Sequence, residues 1–129
     1  MQSAIFLIGR LLLGGFFINS GYNHFKSIDM MSAYAKSKGI PSAKAAVAFT
    51  GLLLAIGGLS ILLGVYPRIG VIALVLFFVP VTFVMHAFWK VQDPQMKMGE
   101  RVNFTKNVAL LGAVLMLLSI AEPWPISLF

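Results

Sequence analysis

Residues 45–89 read AAVAFTGLLLAIGGLSILLGVYPRIGVIALVLFFVPVTFVMHAFW, and Arg68 is the only fully charged side chain among them. The run is broken once, at Gly64-Val65-Tyr66-Pro67-Arg68, where glycine and proline mark a turn. On either side, residues 45–66 and 69–89 are each about 20 long, the length a helix rising 1.5 Å per residue needs to cross roughly 30 Å of hydrocarbon. With so short a turn between them the two segments are antiparallel neighbours, a transmembrane hairpin. Working outward, residues 4–25 and 103–121 have the same length and apolar character.

Composition agrees with that reading. A chain of 129 residues that is 59% hydrophobic and 11% charged has too little polar surface to be covered by water. The expected fold is therefore all-α, an integral membrane four-helix bundle in a single domain over residues 1–129, with membrane lipids as its first partner. The net charge of +6 in a soluble protein would suggest nucleic acid. Here the lysines gather beside apolar spans, which points to lipid head groups and membrane orientation, and no nucleic-acid partner is expected. The chain has no cysteine, which excludes disulfides, thiolate metal sites and iron–sulfur clusters within it. Residues 1–3 carry no basic group and no small-residue cleavage site follows, so the first segment is expected to be retained.

Between the first and second spans, Ser27 is placed to cap a short helix with Ile28, Met31 and Ala35 on one face, stopped by Gly39 and Pro41. Lys36 and Lys38 near its end suit it to the membrane interface. Residues 90–102 are polar without periodicity and read as the most mobile loop. Lys26, Lys36, Lys38, Lys44, Lys90, Lys97, Arg101 and Lys106 fall on the side of the two long loops, against Arg68 opposite and Arg10 slightly inside the first span. The positive-inside rule then puts both termini outside the cytoplasm. Small residues indicate how helices meet: Ala48, Gly51, Ala55 and Gly58 in the second span, Gly14, Gly15 and Gly21 in the first, Gly112 and Ala113 in the fourth. Packing within the bundle is the simpler use for them, and a homo-oligomer stays open.

Polar groups at membrane depth mark any chemistry, because they are costly there and face the bundle interior or water. At the outer end Arg10, Arg68 and Glu122 form a structural polar clamp, with Arg10 snorkelling or pairing with Glu122 and Trp124 as an interfacial aromatic. At the inner end three spans aim polar groups at one level: Asn19, Asn23 and His24, then Thr82, His86 and Trp89, then Asn103, Lys106 and Asn107. Of these, Asn23, His24, His86, Trp89, Asn103, Lys106 and Asn107 are the candidate ligand-binding set, able to hold the head group of a lipid-soluble molecule such as a quinone while apolar walls take its tail. An interhelical hydrogen-bond network is the competing use of the same residues. A haem held by His24 and His86 is disfavoured, because both lie at span ends. A metal site is weaker still, with only two histidines and no carboxylate beside them. The acidic residues Asp29, Asp93, Glu100 and Glu122 all read as lying at or outside the span boundaries, which argues against proton-coupled transport.

In order along the chain, Gly9-Arg10-Leu11-Leu12-Leu13-Gly14, Ser20-Gly21, His24-Phe25, Lys38-Gly39-Ile40-Pro41, Gly57-Gly58, Gly64, Pro67-Arg68, residues 86–89 and Asn103-Phe104-x-Lys106-Asn107-x-Ala109-Leu110 resemble the DoxX family of small four-helix bacterial membrane proteins. The chain departs from that pattern at Thr50, where many members carry glutamate. The resemblance implies a location in the bacterial cytoplasmic membrane and, from relatives linked to membrane-associated oxidoreductase complexes and quinone-linked thiosulfate oxidation, a subunit that supports redox chemistry by binding quinone or a similar ligand. Arg10, Arg68, His86, Asn103, Lys106 and Asn107 match its recurrent residues. A non-enzymatic lipid-binding or scaffold protein is the second reading and small-solute transport the third.

Overall fold

The computed structural model describes residues 1–128 and consists of helices α1 (Gln2–Lys26), α2 (Ile28–Ser37), α3 (Ala43–Leu63), α4 (Pro67–Met85) and α5 (Pro94–Met116), with 3-10 turns at Phe88–Lys90 and Leu117–Ser119. Four of the helical segments, all but α2, are long and apolar enough to cross a membrane. The architecture is the all-α membrane bundle that the hydropathy pattern predicts, with the short helix α2 between the first and second spans.

The hairpin turn is built by Gly64 and Tyr66, both in the left-handed region at φ 72° and 47°. Ser60 locks it, its hydroxyl donating to the Val65 carbonyl at 2.6 Å, and Pro67 opens α4 at a position where no intrahelical donor is needed. α2 ends in a paired Schellman closure: Ile40 N donates to Ala35 O and Gly39 N to Lys36 O, with Gly39 at φ 85°.

α1 and α3 approach closely because glycines face each other. A β-carbon on Gly14 would lie 2.9 Å from the Gly58 carbonyl oxygen, and one on Gly21 would lie 2.8 Å from that of Gly51. In lipid, where tails are as apolar as the helices, such backbone approach replaces hydrophobic drive with dispersion contact. Gly15 and Gly112, expected to join in this packing, instead face open space. The core lies where Phe17, Leu54, Ile61, Val71, Leu74, Phe78 and Val114 meet. α1 packs on α3, α3 on α4 and α4 on α5, but no comparable contact joins α5 back to α1. That gap positions the candidate site.

Several boundaries differ from the sequence reading. α4 stops at Met85 rather than 89, and the chain turns through Phe88–Lys90 under an aromatic cluster in which Phe104 meets Phe83, Phe88 and Trp89 at 5.4–5.7 Å between ring centres. The expected mobile loop at 90–102 is mostly helix. Asp93 caps α5, its carboxylate accepting from Met96 N at 2.9 Å, and Pro94 takes the first helical position, so α5 begins nine residues before 103. At the far end α5 gives way to the 3-10 turn at Leu117–Ser119, short of the expected 121. Trp124 is not an interfacial aromatic: it is buried, edge-on to Phe6 at 5.1 Å.

Candidate functional site

Arg10 organises the end of the bundle that carries the termini. Only 3% exposed, its guanidinium donates to the carbonyls of Ile61 (3.0 Å), Leu62 (2.9 Å), Pro125 (2.6 Å) and Ile126 (3.1 Å), and it lies over the rings of Phe6 and Trp124. It therefore ties α1 to the last turn of α3 and to the segment after α5. Its partners are free carbonyls rather than the Glu122 carboxylate. Glu122 lies instead 3.8 Å from Arg68 at the surface.

The opposite end, where α2 lies, contains a cavity of about 420 Å³ between α1, α2, α3, α4 and α5. Its walls are apolar: Phe16, Phe17, Leu54, Phe77, Phe78 and Leu110. Polar groups collect toward the α2 end. Of the residues singled out from the sequence, His24, His86, Asn103, Lys106 and Asn107 all line it. Asn23 and Trp89 do not. Asn23 is exposed on the outer face of α1, and Trp89 is half exposed against Phe88 and Phe104. Asn19 is exposed as well, while Thr82 is buried outside the cavity wall with its hydroxyl unpartnered. The helical phase explains the split on α1. Arg10, Gly14, Phe17 and Gly21 are the buried positions, so Ser20 and His24 flank that face, and Asn19 and Asn23 point away from it.

Two of the lining side chains are fixed by hydrogen bonds to their surroundings. His24 Nδ1 lies 2.8 Å from the Ser20 carbonyl oxygen and its ring packs edge-on against Phe77. His86 Nδ1 lies 3.3 Å from Glu100 Oε2. Asn107, by contrast, is 6% exposed and makes no hydrogen bond through its amide group among the described residues, and its amide atoms are not fully enclosed.

Glu100 corrects the view that no carboxylate lies beside the histidines. It stands within α5, accepts a hydrogen bond from the Tyr34 hydroxyl at 2.7 Å, and has the Lys38 ammonium at 3.5 Å. Glu100 lies three residues before the apolar stretch that starts near 103, on the polar extension of α5, so it stands beside His86 from the end of the span. Tyr34 and Lys38 belong to the α2 region, so Glu100 joins that region to α5 and to the end of α4. Partial burial, reinforced by Glu100, pushes the Tyr34 phenol well above the usual tyrosine range and keeps it a neutral donor. Tyr34, Met31, Ser20 and Thr50 line the cavity without having been marked by composition or spacing as candidates. Thr50 spends its hydroxyl on the Ala46 carbonyl of its own helix, at 2.9 Å.

The DoxX family profile matches residues 5–87, which carry α1, α2, α3 and α4 and leave α5, with Glu100, Asn103, Lys106 and Asn107, outside the match. No curated protein and no solved structure matches the chain. With well over half of its residues in the matched region, including three of its four membrane spans and the two histidines of the cavity, the chain belongs to the DoxX family.

Proposed function

We propose that this protein is a membrane subunit that supports redox chemistry by binding, in the cavity beside α2, the head group of a lipid-soluble molecule of the quinone class. The observation that carries the reading is Asn107, a nearly buried residue whose amide has no protein partner among the described residues, at the polar end of a cavity with apolar walls. Its amide atoms are not sealed off, so a ligand in the cavity can take a hydrogen bond from them, worth about 0.5–1.5 kcal/mol. The cavity falls within the roughly 300–1,000 Å³ of ordinary small-molecule sites, and its division into apolar wall and polar end matches a molecule with a ring head and an isoprenoid tail. Electrons would come from an oxidoreductase subunit docked at the membrane surface. The excess of lysine and arginine at the α2 end supports an orientation with that end at the cytoplasmic face, and the family resemblance supports a bacterial inner membrane.

The test is purification in mild detergent followed by mass spectrometry of the extracted small molecules. A quinone in near-stoichiometric amount supports the proposal. Phospholipid alone supports instead a non-enzymatic lipid-binding or scaffold role, and a haem absorption band would replace both.

A further inference from the structure

The neutral forms of His24 and His86 are decided by what holds their other ring nitrogen. The Ser20 carbonyl oxygen can only accept, so His24 Nδ1 carries the hydrogen. Glu100 takes a hydrogen bond from Tyr34 and lies against the Lys38 ammonium, the surroundings of an ionised carboxylate, which also can only accept. His86 Nδ1, facing Glu100 Oε2, therefore carries its hydrogen too. An imidazole fixed in this way has Nε2 left, and in the neutral ring Nε2 is a lone-pair acceptor. Both rings line the cavity, so any ring nitrogen they offer to a ligand there is an acceptor.

We infer that Glu100 is a positioning residue that sets His86 in the Nδ1–H form, so that the cavity presents imidazole acceptors from both histidines and selects head groups bearing hydroxyl donors, the hydroquinol or phenol class, over carbonyl-only ones. The inference rests on the head-group reading above and deepens it by specifying the donor pattern of the ligand. A hydroxyl gives its hydrogen to Nε2 and can take one in return from the amide of Asn107 or the ammonium of Lys106, two other residues of the lining. A carbonyl oxygen satisfies the amide but sets lone pair against lone pair at Nε2.

Two measurements test this on the full chain in detergent. The first is nitrogen NMR of protein labelled at histidine. With only two histidines, each ring is resolved and His24 serves as an internal control. At about pH 8, above the ordinary histidine range, both rings should show a protonated Nδ1 and a bare Nε2. Glu100→Gln, whose amide can accept or donate, should shift His86 toward a mixture of forms and leave His24 unchanged. A protonated Nε2 on His86 in the unmodified protein overturns the inference.

The second is anaerobic binding of three probes with the same decyl tail: a para-dihydroxybenzene, its dimethyl ether and the para-benzoquinone. The dihydroxy probe should bind about tenfold more tightly than either of the others, and Glu100→Gln should reduce that preference to about threefold. Equal binding of all three overturns the donor-pattern inference while leaving the cavity as a head-group site. Failure of every probe to bind overturns the head-group reading and the inference built on it.

Discussion

Asn107 separates a binding role from a structural one because its amide group has no bond to lose. In an interhelical network, deleting one member strands another polar group and lowers stability before anything else changes. Asn107→Ala strands nothing within the described residues, so the melting temperature in detergent should stay near that of the unmodified protein. Ligand content per folded protein should meanwhile fall about 2- to 12-fold, the worth of one hydrogen bond to a neutral head group. A clear drop in melting temperature with full ligand occupancy would sink the pocket. Arg10 is the opposite case. Arg10→Leu leaves the carbonyls of Ile61, Leu62, Pro125 and Ile126 without their donor, and should destabilise the protein by on the order of 3 kcal/mol. Ligand content should not change, since Arg10 lies at the other end of the bundle; its loss without loss of stability would move Arg10 into the functional site. Both residues are legible in the sequence as polar groups at membrane depth. Their partners are not. A search for the mate of an arginine looks for a carboxylate, whereas the groups that hold Arg10 are backbone carbonyls that leave no mark in the sequence.

Among the elements, α5 shows what hydropathy does not record. Apolar length reports where lipid can begin, and in the fourth span that is near 103. The helix itself begins earlier, where Asp93 and Pro94 supply a cap and a first turn, and this polar extension carries Glu100 to His86 and Tyr34. The Asp-Pro pair is a helix start signal in the sequence, outweighed there by the polarity of the residues after it. Asp93→Ala should cost about 1 kcal/mol locally, seen as faster amide hydrogen exchange over residues 94–100 with α1, α3 and α4 unaffected. Unchanged exchange would mean the cap does not hold that extension in place. The α1–α3 contact, by contrast, is plain in the glycine spacing. A β-carbon on Gly58 would lie 2.8 Å from the Ile18 amide nitrogen, so Gly58→Val should force the helices apart and lower the melting temperature far more than Gly112→Val, where the added atom meets open space. Similar losses in both would remove the distinction between packed and open glycines.

At the scale of the whole molecule, the four spans and the placement of the loops follow from apolar length and turn residues, but the direction of insertion rests on charge alone. Lys26, Lys36, Lys38, Lys44, Lys90, Lys97, Arg101 and Lys106 stand at or near the α2 end, with the carboxylates of Asp29, Asp93 and Glu100, whereas the terminal end has Arg68 paired with Glu122 and Arg10 folded inward. Counting lysine and arginine and setting the acidic residues aside, as translocation does, the α2 end should face the cytoplasm. The absence of native cysteine makes the measurement clean. Single substitutions Ser3→Cys and Ser37→Cys, both at exposed positions, should react with a membrane-impermeant maleimide from opposite sides, Ser3→Cys in intact cells and Ser37→Cys only after the membrane is opened. That orientation brings the polar end of the cavity to the cytoplasmic surface, where a soluble reductase could reach it. Labelling of Ser37→Cys in intact cells would invert the protein and put that end beyond any cytoplasmic partner; labelling of both positions from one side would break the arrangement of four spans.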